Sequence, residues 1–268
     1  MARVDRAAWS GKLSGMRTRL LLLLLGLVYV APLSAAEPAA KAPVLVAVHG
    51  AWAGGWHFRK IAPLLEAKGW QVHRPTLSGL GEHFNTARAE IGLATHIDDI
   101  VNYILFEDLH DVILLGHSYG GMVITGVADR IPARIARLVY LDASLPENGE
   151  SLLQLRKPGG LVDLEKLAKD GFIPAWWVKP GKPFPVDVPH PLKTLTDSIV
   201  LQNQAATVKI PGTYILTVDP GKLPADDDFF AASERARTRG WPVLIMAGDH
   251  NPHWRQPEAM ADLLAGLR

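Results

Sequence analysis

The chain has 268 residues, 48% of them hydrophobic, with 28 basic against 27 acidic side chains and a formal net charge of +1. That balance fits one globular α/β domain with a sizeable core and excludes the basic stripe of a nucleic-acid binder. Cysteine is absent, which excludes disulfide staples and a lipid-anchored cysteine, so the fold rests on its core alone.

Arg17 and Arg19 precede an apolar run from Leu20 to Val30, and Ser34-Ala35-Ala36 then offers the small residues that a signal peptidase accepts before Glu37. The run is shorter than the about 20 residues of a membrane span. Residues 1–36 are therefore expected to be a secretory signal peptide, with residues 1–15 lying upstream of a second start at Met16; an uncleaved N-terminal membrane anchor is the alternative. Cleavage leaves residues 37–268 as one domain, exported to the periplasm or the medium, with no stable membrane insertion.

From there the pattern alternates. Val44 to Val48 reads as a strand, followed by the glycine-rich stretch His49-Gly50-Ala51-Trp52-Ala53-Gly54-Gly55-Trp56 and a helical pattern from Phe58 to Lys68 that ends at Gly69. Gln71 to Pro75 is the next strand, Thr76 to His83 a turn-rich loop, and Thr95 to Phe106 a helix whose Asp98, Asp99, Asn102 and Glu107 read as a solvated face. Val112 to Leu115 is an unbroken apolar run of the kind a parallel strand buried on both faces supplies. It stops at Gly116-His117-Ser118-Tyr119-Gly120, and a helical pattern continues from Tyr119 to Arg130.

Arg137 to Leu141 is a fourth strand, ending at Asp142. Between about Pro146 and Pro211 the chain is rich in proline and glycine and contains Trp176 and Trp177. A structureless loop of that length is unusual in a compact domain, so the stretch reads as an inserted lid with short helices of its own. The alternation resumes with a strand from Thr213 to Val218 ending at Asp219, a helix from Phe229 to Arg239, and a last strand from Val243 to Ala247. His250 follows it, and Pro257 to Leu267 closes as an amphipathic helix.

The strand-turn-helix around Gly116-His117-Ser118-Tyr119-Gly120 is a G-x-S-x-G nucleophile elbow. A serine that attacks a carbonyl must stand clear of the backbone, and Gly116 and Gly120 remove the side chains that the sharp turn would crush. Its hydroxyl needs an imidazole to take the proton, and the imidazole needs a carboxylate to fix its tautomer. Ser118, Asp219 and His250 follow three predicted strands in the order nucleophile, acid, base. Asp142 is the alternative acid, because it too ends a strand, while Asp226, Asp227 and Asp228 read as a solvated turn or helix start. His253, His49 and His117 compete for the role of base; the latter two flank turn glycines and read as braces. A metal reading of His250 and His253 lacks the helix and acidic partner of known pairs at that spacing, so neither metal nor cofactor is expected. The oxyanion donors are expected to be the amides of Ala51 and Tyr119. Trp52, Trp176 and Trp177 are candidates for substrate contact, with packing the alternative, and an aromatic lid favours small, fairly hydrophobic esters over peptides.

The stretches His49 to Trp56, Gly116 to Gly121 and Asp249-His250-Asn251-Pro252-His253-Trp254-Arg255-Gln256-Pro257 together resemble the plant methylesterase and hydroxynitrile lyase branch of the α/β-hydrolases, and more closely its bacterial esterase relatives. The resemblance spans about Val44 to Leu267. It implies a mostly parallel eight-stranded sheet flanked by helices, a small lid over the serine, and cofactor-free hydrolysis of small esters through an acyl-enzyme. The lyases carry threonine where Ala51 stands and lysine where Asn251 stands, so cyanide chemistry is not expected. Asp219 falls slightly early against the plant pattern, and Thr76 to His83 differs from the plant loop, so plant hormone esters are not implied. The competing readings are a ligand-binding protein on the same fold and a lyase or perhydrolase using the same triad.

Overall fold

The structure, a computed structural model, describes residues 41–156 and 163–267. The expected signal peptide lies outside them. The strands are β1 (Val44–Val48), β2 (Gln71–His73), β3 (Val112–His117), β4 (Ile135–Leu141), β5 (Phe172–Ile173), β6 (His190–Pro191), β7 (Gly212–Val218) and β8 (Val243–Ala247). The helices are α1 (Ala62–Glu66), α2 (Leu93–Phe106), α3 (Gly120–Arg130), α4 (Leu152–Leu155), α5 (Leu164–Leu167), α6 (Lys193–Thr196), α7 (Gln204–Thr207), α8 (Phe230–Thr238), α9 (Pro252–Arg255) and α10 (Pro257–Ala265).

Six strands form one parallel sheet in the order β2-β1-β3-β4-β7-β8. Eight strands were expected from the resemblance. Among the described residues the two remaining strands, β5 and β6, pair with each other as a separate antiparallel ribbon and do not lengthen the sheet.

The sheet is covered on both faces, which is why its strands read as continuous apolar runs. Alternate residues nevertheless part company. Val44, Val46 and Val48 of β1 join a cluster with Ile97 of α2, Val123 of α3 and Ala236 of α8, whereas Leu45 and Ala47 join Leu65 of α1 and Leu264 of α10. Each fully buried leucine, isoleucine or valine contributes about 1.5–3 kcal/mol, so a one-residue slip of β1 would turn its large residues toward the wrong layers. The helix expected over Phe58 to Lys68 is instead a 3₁₀ turn, Gly55–Phe58, and the short α1, with Pro63 in its first turn where the missing N–H costs nothing.

The stretch between β4 and β7 carries α4 to α7 and the β5-β6 ribbon. It is tied down at several points. Asp129 of α3 accepts the N–H groups of Gln202 and Asn203, Asp197 accepts the N–H of Leu93 at the start of α2, and the N–H of Val188 bonds to the carbonyl of Trp52. Asp99, expected on a solvated face, accepts both the N–H and the hydroxyl of Ser78 and so pins the loop after β2.

Candidate active site

Five loops at the carboxyl ends of β1, β3, β4, β7 and β8 meet over the sheet, the place where open α/β sheets put their ligands. Ser118 follows β3 with φ 56°. A non-glycine residue in that left-handed region costs on the order of 1–2 kcal/mol, and here the surroundings enforce it. The Ser118 N–H bonds to the Leu141 carbonyl, and its own carbonyl accepts from Gly121 and Ser144. A Cβ on Gly116 would stand 2.6 Å from the Gly120 carbonyl oxygen, and one on Gly120 2.6 Å from that of Val48. The glycines are thus demanded by the turn.

The oxyanion candidates are held from behind. Tyr119 is buried with its hydroxyl donating to His96 Nδ1, while His96 Nε2 donates to the Ser78 carbonyl, so its backbone N–H sits at the fixed first turn of α3. Burial pushes the Tyr119 phenol well above its usual range. On the facing loop Trp52 adopts φ 62°, its N–H donating to His190 Nδ1 and its indole to the Ile173 carbonyl. His190 Nε2 in turn donates to Thr194. The segment between β4 and β7 therefore fixes the conformation of the loop that carries Ala51. His49 braces the same loop, Nδ1 donating to the Gly50 carbonyl and Nε2 accepting from the Leu77 N–H, and burial lowers its pKa to about 3.

His250 Nδ1 lies 2.6 Å from Asp142 Oδ2. Asp142 is 1% exposed, and its other oxygen accepts the N–H of Thr217 in β7 at 3.1 Å. With Nδ1 donating to the carboxylate, Nε2 carries the lone pair, which is the tautomer a general base requires. Phe229 lies flat on the imidazole, ring centroids 5.0 Å apart and planes 4° off parallel. His117, read as a brace, donates from Nε2 to the His250 carbonyl.

Asp219, expected as the acid, is not on His250. It lies at the end of β7, 43% exposed, paired with Lys222 at 2.7 Å. Asp142 reaches the base because β4 stops at Leu141 and the chain turns at once, with Asp142 at φ 45°, whereas the turn Asp219-Pro220-Gly221 carries its carboxylate outward to a lysine three residues on. His253 is fully buried against Phe58 and His57 rather than facing the serine.

Ser118, Ala51, Tyr119, Asp142 and His250 line one cavity of about 700 Å³. Its wall includes Trp52, Leu145, Leu152, Leu155, Leu195 and Phe229, with Asp219 and Asp227 on it as well. Burial and the Asp142 charge push the Asp227 carboxyl up. Trp176 and Trp177 do not line the cavity. They are 47% and 46% exposed and pack edge-on against Trp52, and Trp177 donates to Asp187. Sequence reasoning missed the Arg235–Glu150 pair on the cavity wall and the Phe229 stack. The pair joins residues 85 apart, for which no local pattern exists.

Residues 45–263 match the model of the alpha/beta hydrolase family. The chain belongs to the α/β-hydrolase family. This α/β-hydrolase is 36% identical over 241 residues to a carbendazim hydrolyzing esterase of Nocardioides sp. (strain SG-4G), covering 83% of this chain and 98% of that one. It is 33% identical over 126 residues to an alpha-hydroxynitrile lyase of Arabidopsis thaliana, 45% of this chain and 49% of the plant protein. Among solved structures it superposes on an extracellular alpha/beta-hydrolase from a Paenibacillus species with TM-score 0.70 and 25% identity, covering 84% of this chain and 98% of the other. That structure is described as sharing structural and functional homology with tobacco salicylic acid binding protein 2.

Proposed function

We propose that this α/β-hydrolase is a serine carboxylesterase that cleaves small, fairly hydrophobic esters through an acyl-enzyme on Ser118, with His250 as base and Asp142 as its acid partner. The 2.6 Å contact of His250 Nδ1 with Asp142, at the cavity that Ser118 also lines, carries this reading. The relative that is a carbendazim hydrolyzing esterase supports the reaction class.

Ser118 Oγ attacks the ester carbonyl as its proton passes to His250 Nε2, and the Asp142 carboxylate stabilises the imidazolium that results. The tetrahedral oxyanion takes hydrogen bonds from the backbone N–H groups of Ala51 and Tyr119, each held in place before the reaction and so requiring no reorganisation. His250 returns the proton to the departing alkoxide, leaving the acyl group on Ser118. Water then repeats the sequence with His250 as base and releases the acid. Trp52, Leu145, Leu152, Leu155, Leu195 and Phe229 give the cavity apolar surface for acyl and alcohol groups, alongside the charged Glu150, Asp219, Asp227 and Arg235 on the same wall.

Steady-state hydrolysis of short p-nitrophenyl esters tests the reading. Ser118→Ala and His250→Ala should each lose at least about 10³-fold in kcat with the fold intact. Turnover that survives Ser118→Ala contradicts it, and wild type without turnover on any ester favours a ligand-binding role. Export belongs to the proposal too, supported by Arg17, Arg19, Leu20 to Val30 and Ser34-Ala35-Ala36. Secreted protein should begin at or near Glu37, and an N-terminus that retains Leu20 to Val30 contradicts export by cleavage.

A further inference from the structure

Three histidines that the ester reaction does not use meet beside the site. His57 comes from the turn Gly55–Phe58, His117 from the last position of β3 and His253 from α9. One ring nitrogen of each lies within 4.8 Å of those of the other two. His117 and His253 are 2% and 0% exposed, and the His57 side chain is 15% exposed. None of the three lines the cavity around Ser118.

The hydrogen bonds assign the free nitrogens. His117 Nε2 faces the His250 carbonyl at 2.8 Å and must carry the proton, so Nδ1 holds the lone pair; that atom is buried without a hydrogen-bond partner. His57 Nδ1 and His253 Nε2 share a hydrogen bond at 3.4 Å, and His57 Nε2 stands 3.6 Å from the Asp187 carboxylate. His253 Nδ1 is also buried without a partner, and with Nε2 turned to His57 it keeps the proton and stays unpaired. The unpaired His117 Nδ1 costs about 1–3 kcal/mol, and a position that serves packing alone does not need it.

Converging neutral imidazoles are a donor set for zinc and its neighbours. A tetrahedral site with Zn–N bonds of about 2.0–2.1 Å places its ligand nitrogens about 3.3–3.4 Å apart, and the His57–His253 separation of 3.4 Å already matches one edge. Ligating histidines hold their other N–H on a carbonyl or carboxylate, as His117 does on the His250 carbonyl; Asp187 Oδ1, buried without a hydrogen-bond partner 3.6 Å from His57 Nε2, stands near enough to take that part for His57. We infer that His57, His117 and His253 form a site for a divalent transition metal, zinc the best-matched ion, with water in the fourth position on the partly exposed His57 side. Because no ligand lines the substrate cavity, the ion acts as a brace. It ties the Gly55–Phe58 turn, the end of β3 and the His250 loop together, and through Asp187 adds the segment between β4 and β7.

The test is titration of chelator-stripped full-length protein with Co²⁺, followed by its visible d–d absorption and displacement by Zn²⁺, beside thermal unfolding with and without Zn²⁺. The expected result is one Co²⁺ per chain with the intense bands of a four-coordinate site, and a melting temperature raised by about 5 °C or more. His57→Phe and His253→Leu should abolish both effects, Asp187→Asn should weaken binding about 10–100-fold, and the exposed-site control His110→Ala should change neither. Far-UV circular dichroism of the metal-free variants establishes folding, with His57→Gln replacing any variant that fails to fold. Absence of the bands in wild type, or bands that survive His57→Phe, His57→Gln and His253→Leu, overturns the site.

Discussion

Asp142 holds His250 from two strands away: β7 lies between β4 and β8 in the sheet, and its Thr217 N–H fixes the carboxylate that reaches across to Nδ1 at 2.6 Å. Asp219, nearer in sequence and on the adjoining strand end, is committed to Lys222. Asp142→Asn should therefore lower kcat by about 10³–10⁴-fold, by favouring the wrong imidazole tautomer, while Asp219→Asn stays near wild type. Steady-state kinetics of the two variants decides between them, and the reverse pattern refutes the assignment.

The elbow glycine Gly120 is a backbone position that tolerates no side chain. Gly120→Ala drives a methyl to 2.6 Å from the Val48 carbonyl oxygen, and relieving that clash displaces either β1 or the first turn of α3. A loss of about 1–3 kcal/mol is expected from denaturant unfolding, together with a fall in kcat, since the Tyr119 amide moves with the turn.

Trp52 and its neighbours separate in effect. Trp52→Ala removes a cavity wall and the indole bond to Ile173, so KM for short esters should rise and stability should fall. Trp176→Ala trims a half-exposed ring outside the cavity and should leave KM near wild type. Equal effects on KM would place both rings against substrate.

Acid should weaken the fold from near pH 6.5 downward. Burial lowers the pKa of His49 to about 3 and also lowers those of His96 and His190. Their folded pKa values lie below the unfolded value of 6.5, so between the two the unfolded chain binds more protons and stability falls as pH falls. The contribution is complete above about pH 6.5 and is lost progressively toward pH 3. Three such groups give a limiting slope of about 4 kcal/mol per pH unit. Denaturant unfolding between pH 7.5 and 5 measures it, and a flat profile contradicts the neutral, buried state of these rings.

Much of the frame was legible because its signals are local. The run Val112 to Leu115, the glycines of the elbow and the helical pattern after it occupy one continuous stretch, and β3 and α3 lie there. Strand ends also pointed to the loops that line the cavity, but order along the chain does not distinguish Asp142 from Asp219, since both fall between Ser118 and His250. The choice depends on which side chain turns inward, set by the positive φ of Asp142 and the reach of Thr217. Among the described residues the sheet has six strands where the resemblance implied eight, with β5 and β6 pairing apart from it. The chemistry of Trp176 and Trp177 fits substrate contact and packing alike, and the choice rests on Trp52, more than a hundred residues away. The cluster of His57, His117 and His253 leaves no sequence pattern, because its members come from three elements.

The most direct test of the triad is to quench the protein in the first turnovers on a p-nitrophenyl ester and map the acyl mass by peptide mass spectrometry. The account predicts a stoichiometric adduct on the peptide containing Ser118, on the serine itself, and none in Ser118→Ala. Ester turnover with no covalent adduct, or an adduct on another residue, would contradict it.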